Sequence, residues 1–247
     1  MEELQTLSKA MDVLMWIANK GGEARASELE AEVGLSRSSL YRILGTLRNK
    51  NFVESSGGGV YRLGFGVLSL GLLAGDKDGV GEAVKLILGE LTEQTGETSM
   101  LTAVSYPDAV CVARVESHRS VRLSFEVGRR MPMCAGASGK VLLMGMSDDG
   151  LKHYLADVAK AGILDRWRMT ESDIFQQICD ARGRGWLSTF SEVDEDAFAI
   201  GAPVYDTSGI CRYGLSIAGP IGRFEEAPFV SYLQAAADRI SGALFET

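Results

Sequence analysis

The residues between Ser36 and Arg62 combine positive charge with hydroxyl groups, which is the chemistry that contacts to nucleic acid require. Within this range five side chains are basic and one, Glu54, is acidic, although the whole chain carries a net charge of −8. Arginine can donate two hydrogen bonds to the edge of a guanine, and serine hydroxyls can donate to phosphate oxygens. The candidate DNA contacts are Ser27, Ser36, Arg37, Ser38, Ser39, Tyr41, Arg42, Arg48 and Arg62.

A second segment could bind an anion. Residues 135–140 read AGASGK and lie at the predicted start of a helix. Small side chains let a ligand approach the backbone, and the free N–H groups of a helix start attract a carboxylate. The segment therefore predicts a carboxylate-binding loop, although plain core packing would also explain each small residue taken alone.

Catalytic and metal-binding patterns are missing from the sequence. It contains no HExxH, GxSxG or P-loop motif, and its only histidines are His118 and His153. The four cysteines are far apart and form no CxxC pair, so we expect reduced, partly buried thiols. They are Cys111, Cys134, Cys179 and Cys211. The sequence thus predicts a protein that is not an enzyme and that uses no metal or other cofactor.

The distribution of charge divides the chain into a balanced N-terminal part and an acidic remainder. Residues 1–75 contain eight basic and eight acidic side chains, so the other 17 basic and 25 acidic residues carry the whole net charge. A locally cationic module joined to an acidic domain is typical of a DNA-binding protein with a second function. Because the sequence shows no signal-peptide pattern and no apolar run of about eighteen residues, we expect a cytoplasmic protein that does not enter a membrane.

Three helices and a hairpin are predicted within residues 1–64. A short second helix begins at Ser27, where Ser27 and Glu30 form a capping box, and the third helix follows Ser36 as its N-cap. Two β-prone runs around the GGG of residues 57–59 then predict a hairpin. This order is that of a winged helix-turn-helix, in which the start of the third helix enters the major groove. The first helix spans Leu4–Asn19, and its expected buried face is Leu7, Met11, Leu14, Met15 and Ala18.

The rest of the chain predicts a larger α+β domain in which helices flank an antiparallel sheet. A linker helix over Phe65–Gly75 precedes it, and the predicted domain bounds are residues 1–64, the linker 65–78 and residues 79–247. The expected strands are SMLTAV, AVCVARV, SVRLSF, Gly185–Phe190, Ala197–Tyr205 and Cys211–Ile217. The expected helices are Glu82–Thr95, the one after residue 134, Asp148–Ala156, Glu171–Arg184 and Glu225–Leu244.

In their order and spacing, these segments are similar to those of the IclR family of bacterial transcription regulators over nearly the whole chain. The segments that carry the resemblance are GLSRSSLYRILGTL, FVESSGGGVYRLG, VGRRMPMCAGASGKVLL, GWLSTFSEVDEDAFAIGAPVYD and LSIAGP. The resemblance implies an N-terminal winged helix-turn-helix that binds double-stranded operator DNA. It also implies a C-terminal GAF-like domain that binds a small organic effector, commonly a carboxylic acid, and homodimers that often pair into tetramers.

The resemblance further implies where the effector binds. The matching positions are Leu123, Met131, Ala137, Ser138, Thr189, Ala197, Ala199, Ser216 and Ala218. This chain departs from the family pattern at three places: Cys134 replaces a frequent histidine, Thr189 an acidic side chain of some members, and Ala199 a cysteine of others. A pocket without that acid favours a moderately sized acid, such as an aromatic one, over a very small hydroxylated acid.

Two alternatives stay open on the sequence alone. Arg129 and Arg130 are either a second anion anchor or, as we favour, a solvated or interface pair. The large domain either senses a ligand or serves only to oligomerise the DNA-binding domain. The direction of regulation, release or promotion of operator binding, is not determined by these residues.

Overall fold

The structure is a computed structural model that describes residues 4–77, 81–123, 125–167 and 169–245. Its internal contacts divide the chain into two compact units, Met1–Gly79 and Val80–Thr247. The predicted boundary between linker helix and larger domain, at residues 78 and 79, lies outside the described residues. Across those four described ranges, no helix is both long enough and apolar enough to cross a membrane.

The N-terminal unit packs helices against a three-stranded antiparallel sheet with strand order β1-β3-β2. Its elements are α1 (Gln5–Asn19), β1 (Glu23–Arg25), α2 (Ala26–Val33), α3 (Arg37–Asn49), β2 (Val53–Gly57), β3 (Val60–Leu63) and α4 (Phe65–Lys77). The predicted hairpin is β2 and β3. Strand β1, which the sequence did not predict, pairs with β3 and places buried Ala24 opposite Tyr61.

The buried face of α1 differs from the predicted one. Val13, Leu14 and Ile17 are buried, whereas Leu7 is 60% exposed and Met11 is 52% exposed. Two apolar stripes overlap on this helix, and both satisfy a three- and four-residue spacing. Only the stripe that faces α2 and α3 enters the core, so the prediction was wrong for Leu7, Met11 and Ala18.

The start of α2 was also predicted wrongly. The helix begins at Ala26, so Ser27 lies inside its first turn and cannot cap it. The reciprocal contact that is present comes from Glu28, whose Oε2 accepts a hydrogen bond from the backbone N–H of Arg25 at 2.8 Å. Strand β1 ends at Arg25 and leads directly into the helix, which moves the cap two residues towards the N-terminus of the chain.

Helix α3 begins as predicted. Ser36 is its N-cap, and the Ser36 Oγ accepts a hydrogen bond from the backbone N–H of Ser39 at 3.3 Å. The buried residues Leu40, Ile43 and Leu44 fix the face of the helix that enters the core. The opposite face is consequently presented to solvent.

The C-terminal unit is built on a six-stranded antiparallel sheet with strand order β6-β5-β4-β9-β8-β7. Its strands are β4 (Thr98–Ser105), β5 (Asp108–Val115), β6 (Arg130–Pro132), β7 (Leu187–Phe190), β8 (Ala197–Tyr205) and β9 (Cys211–Pro220). Its helices are α5 (Glu82–Thr95), α6 (Gly136–Leu143), α7 (Asp148–Lys160), α8 (Ile163–Trp167), α9 (Glu171–Arg184) and α10 (Glu226–Phe245). The structure confirms the predicted α+β class.

Helix α6 lies directly against the sheet. Every one of its residues is buried, including Lys140. The approach is possible because Gly201 and Gly214 lie under the helix: a Cβ at either position would be 2.8 or 2.5 Å from the side chain of Val141. A separate apolar cluster joins α5 and α10 to the sheet, so helices pack on it in two layers, as predicted.

One predicted strand is absent among the residues described around it. Residues 120–123 and 125, from the run SVRLSF, form bends and irregular chain, while Ser124 lies outside the described residues. The edge strand next to β5 is instead β6 (Arg130–Pro132). The irregular segment passes over the sheet, and the carbonyl of Leu123 accepts a hydrogen bond from the Thr98 hydroxyl at 2.8 Å. The short helix α8 was not predicted either.

The corrected cap of α2 gives a stability prediction. Glu28→Ala should lower the free energy of unfolding of the N-terminal unit by about 0.5–1 kcal/mol, because the Arg25 N–H loses its acceptor. Glu30→Ala removes the same charge from the same helix and should have a smaller effect. Calorimetric unfolding of the two full-length variants measures the difference. A larger loss for Glu30→Ala would favour the cap expected from the sequence.

Candidate functional site

One pocket in the C-terminal unit collects residues from five strands and loops around the start of α6. Its cavity volume is about 60 Å³, and the empty space around it, which includes open solvent at its mouth, is about 490 Å³. Eight of the nine residues expected at an effector site line it: Leu123, Met131, Ala137, Ser138, Thr189, Ala197, Ala199 and Ala218. Met100, Phe125 and Phe198 complete an apolar wall, and Glu192, Val193 and Asp194 contribute a loop at its rim. These residues are hereafter called the pocket.

The ninth residue, Ser216, lies behind the lining. It has no exposed surface, and its Oγ is 2.8 Å from the Oγ of Ser138, which does line the pocket. On the other side of the helix start, the backbone N–H of Ala137 donates to the Thr189 hydroxyl at 3.2 Å. The Ala137 amide and the Ser138 hydroxyl are therefore the polar groups of α6 that face the pocket, each held by a neutral neighbour.

The sequence analysis missed a buried ion pair beside the pocket. Glu192 contacts the ammonium of Lys140 through Oε1, and its Oε2 accepts a hydrogen bond from the backbone N–H of Gly136 at 2.7 Å. Gln177 from α9 accepts a further hydrogen bond from Lys140 Nζ at 2.8 Å. A carboxylate of the protein itself thus occupies the first N–H of α6, so this part of the expected cradle is already filled.

Burial is the main influence on the Lys140 ammonium. It lowers the pKa of Lys140, and the Glu192 carboxylate opposes that change. A signal for the pair was present in the sequence: a lysine within the apolar run of α6 must find a carboxylate if the helix is buried. The sequence could not identify the partner, which lies 52 positions further along the chain.

The two arginines of the Arg129–Arg130 pair differ in their contacts, and those of Arg130 are to the protein itself. Arg130 donates to Asp108 Oδ2 at 3.2 Å and to the Ser105 carbonyl at 2.7 Å, which fixes the β4–β5 turn. The Arg129 guanidinium lies over the ring of Phe125, 4.6 Å from its centroid.

The thiols close to the sheet are poorly suited to nucleophilic chemistry. All four cysteines are free. Burial raises the pKa of Cys111 to about 11 and that of Cys211 to about 12, and it also raises the pKa of Cys134. A thiol with a raised pKa stays protonated at neutral pH and is a weak nucleophile.

The second candidate site is the solvent-facing side of α3. The exposed side chains of α3 are Arg37, Ser38, Tyr41, Arg42, Thr46, Arg48 and Asn49. The Arg37 guanidinium lies 5.9 Å from the Tyr41 ring centroid, which keeps it at the start of the helix. Together with Lys50, just after the helix, this face carries four positive charges on a single element.

Three serines cluster at the start of α3. The Ser36 Oγ is 3.2 Å from the Ser38 Oγ and 2.9 Å from the Ser39 Oγ, so the hydroxyls surround the first N–H groups of the helix. A helix start with free donors and hydroxyls is a suitable place for a phosphate.

Two expected DNA contacts lie apart from α3. Arg62 on β3 is paired with Glu54 on β2, at 2.8 Å between Nη2 and Oε2, so its charge is neutralised within the wing. Ser27 is exposed on α2. Across the described part of the chain, no group of three His, Cys, Asp or Glu side chains is arranged to hold a metal ion.

Comparison with protein-family models matches almost the whole chain. Residues 6–57 match the IclR helix-turn-helix domain, and residues 74–242 match the C-terminal domain of the bacterial transcriptional regulator IclR. The chain is 27% identical over 222 residues to the HTH-type transcriptional regulator KipR of Bacillus subtilis, which covers 90% of this chain and 88% of the relative.

Solved structures show the same fold. A crystal structure of an IclR transcriptional regulator from Alicyclobacillus acidocaldarius superimposes with a TM-score of 0.81, at 20% identity over 98% of this chain and 99% of the other. An IclR homologue from Microbacterium hydrocarbonoxydans, crystallised in complex with 4-hydroxybenzoate, superimposes with a TM-score of 0.80, at 18% identity over 97% and 98% of the two chains. The two family models, which together cover both units, confirm the resemblance seen in the sequence. The chain belongs to the IclR family of bacterial transcriptional regulators, which bind DNA through a helix-turn-helix.

Proposed function

We propose that this protein controls transcription from an operator recognised by α3, and that a small organic acid bound in the pocket changes its affinity for that operator. The observation that carries the proposal is the convergence in the pocket of eight residues that lie far apart in the sequence, from Leu123 to Ala218. Small residues scattered through a core for packing alone would not need to face one common space.

The operator-binding half rests on charge and geometry. Four basic side chains on and just after α3 are exposed on a chain with a net charge of −8, and the helix start offers donors for a phosphate. Arg37 and Arg42 lie on the first two turns, from which a recognition helix contacts base edges. Arg62 is 57% exposed and donates to Glu54 through Nε and Nη2, so its remaining N–H groups are available for a wing contact with a DNA phosphate.

The effector-binding half rests on the division of the pocket into two kinds of surface. One side carries Met100, Phe125 and Phe198, which suit an apolar or aromatic body. The other carries the Ala137 amide and the hydroxyls of Ser138 and Thr189, which suit an acid group. The relative from Microbacterium hydrocarbonoxydans binds 4-hydroxybenzoate, an acid of this shape.

The rim of the pocket limits the charge of the ligand. Glu192 is paired with Lys140, but Asp194 also lines the rim, so a second carboxylate on the ligand would face the charge of Asp194. We therefore propose a monocarboxylate with an apolar body as the effector.

We propose that communication between the two sites works through an oligomer. Leu7 and Met11 on α1 and Phe65, Leu68 and Leu70 on α4 are exposed, and they provide apolar surface for a second copy of the N-terminal unit. We propose a homodimer that pairs further into a tetramer, with half-sites about one helical turn of DNA apart or a multiple of that. The effector acts through its differential affinity for two arrangements of the protein.

Removing one α3 arginine should weaken operator binding selectively. For Arg42→Ala we expect a loss of about 1–3 kcal/mol if the side chain contacts a base, concentrated on the cognate sequence. If Arg42 instead contacts a phosphate, the variant should bind all sequences more weakly. The slope of log affinity against log salt concentration should then fall by about one. Fluorescence anisotropy on operator and scrambled duplexes at several salt concentrations measures both. Lys85→Ala, which removes an exposed charge from α5, is the control, and an equal loss there would contradict the assignment to α3.

The chemistry of the pocket predicts which acids bind. Benzoate and 4-hydroxybenzoate should raise the melting temperature of the full-length protein, whereas terephthalate should not, because its second carboxylate meets the acidic rim. Acetate and pyruvate should have little effect, because they leave the apolar wall uncovered. Stabilisation by the two- and three-carbon acids alone would contradict the proposed ligand class. No stabilisation across a broad panel of acids would favour a large domain that only oligomerises.

A larger side chain in the pocket should weaken effector binding without changing operator binding. Ala199→Leu adds three carbon atoms to a partly buried position on β8 and should weaken binding of a stabilising acid by tenfold or more, that is, by at least about 1.4 kcal/mol. Operator affinity without ligand should stay unchanged. Calorimetry and anisotropy on the same preparation test both statements. Ala103→Leu, also partly buried but outside the pocket lining, is the matched control, and equal loss of both activities in Ala199→Leu would indicate misfolding rather than a blocked pocket.

A further inference from the structure

One lysine is buried beside the pocket, and none of its contacts indicates a direct role in binding a ligand. Lys140 has no exposed surface, and its Nζ contacts Glu192, Gln177 Oε1 at 2.8 Å and Met169 Sδ at 3.7 Å. It does not line the pocket. Replacing a buried ion pair by apolar residues of similar volume is often neutral for stability, so stability alone is a poor reason for this pair.

The partner of the lysine connects two parts of the pocket wall. Glu192 lies in the loop between β7 and β8, and its Oε2 accepts the hydrogen bond from Gly136 N–H, the first amide of α6. The next residue of that loop, Val193, packs against the helix start so closely that a Cβ on Gly136 would be 3.0 Å from its Cγ2. The loop therefore contacts the helix start through both the Glu192 carboxylate and the Val193 side chain.

The loop needs such an anchor because its backbone is unusual at both ends. Ser191 and Asp196 have φ values of 48° and 57°, in the left-handed region that side chains rarely adopt. Backbone hydrogen bonds hold these two ends, from Ser191 N–H to the Ala197 carbonyl at 2.7 Å and from Ile221 N–H to the Asp196 carbonyl at 2.8 Å. Between them, Glu192 provides the hydrogen-bonded contact to α6.

We propose that Glu192 is a positioning residue of the pocket: its carboxylate holds the first turn of α6 and the 191–196 loop at the separation that the acid group of the effector requires, and Lys140 is its buried counter-charge. The proposal rests on the pocket being the effector site. The acid group of the ligand then meets the Ala137 amide and the Ser138 hydroxyl, while the Gly136 amide stays bound to Glu192 whether or not a ligand is present.

Two double variants distinguish the positioning role of Glu192 from an effect on the stability of the protein. Glu192→Met/Lys140→Met removes the charges and also the acceptor for Gly136. Glu192→Gln/Lys140→Met removes the same charges but keeps an oxygen that can accept from Gly136. Both avoid an unpaired buried charge, so both should melt within a few degrees of each other. The single variant Glu192→Gln leaves the Lys140 ammonium buried without a counter-charge. It should melt about 10 °C lower than the natural protein.

The readouts are amide hydrogen exchange of the full-length protein and binding of 4-hydroxybenzoate by calorimetry. In Glu192→Met/Lys140→Met, exchange of residues 136–138 and of the 191–196 loop should be at least about tenfold faster than in Glu192→Gln/Lys140→Met, and the ligand should bind about tenfold more weakly. Operator affinity without ligand should be the same in both.

The exchange experiment needs no ligand, so it separates this proposal from the proposed function. Equal exchange in the two double variants would overturn the positioning role, even if acids bind and alter operator affinity. Faster exchange in the Met variant with unchanged affinity for 4-hydroxybenzoate would overturn it as well. Faster exchange with no binding of 4-hydroxybenzoate to any variant would support the role of Glu192 in the loop and leave the effector class to be judged by the acid panel.

Discussion

The close approach of α6 to the sheet is the constraint on which the C-terminal unit depends. Gly201 and Gly214 have no side chains, so Val141 can pack directly on the strands and the whole helix becomes buried. Burial of the helix brings its N-terminal amides to the edge of the pocket, where Glu192 and Thr189 accept hydrogen bonds from Gly136 and Ala137. It also encloses the Lys140 ammonium, which then requires the carboxylate of Glu192. The pocket and the ion pair thus both follow from the close packing of α6 on the sheet.

The two units differ in how their charged side chains are placed. On α3 the apolar residues Leu40, Ile43 and Leu44 fill a small core, and the basic side chains remain in water, where they can attract a polyanion over several ångströms. In the C-terminal unit, several cations are paired with carboxylates, as in the contacts of buried Glu97 with Arg223 and Arg119. Because acidic residues outnumber basic ones in this unit, it adds little competing attraction for DNA.

Several features could be predicted from the sequence because they depend on neighbours in the chain. The Ser36 cap and inner face of α3, the bounds of α5 and α9, and strand β8 all follow from short-range patterns of apolar, capping and β-branched residues. The family resemblance supplied the pocket positions, since periodicity alone cannot relate Leu123 to Ala218. The prediction failed where two local patterns were equally good, as for the two apolar stripes of α1. It also failed where an unexpected strand, β1, moved the start of α2.

The sequence by itself determined most of the longer elements, the cationic face of α3 and the family, because these are properties of contiguous segments. Only the tertiary structure decided which face of α1 is buried, that Arg62 is paired with Glu54, and that Glu192 occupies the first amide of α6. The physical reason is that each of these depends on the free energy of contacts between residues distant in the chain. The secondary-structure propensity of a residue does not indicate which partner its side chain will contact once it is removed from water.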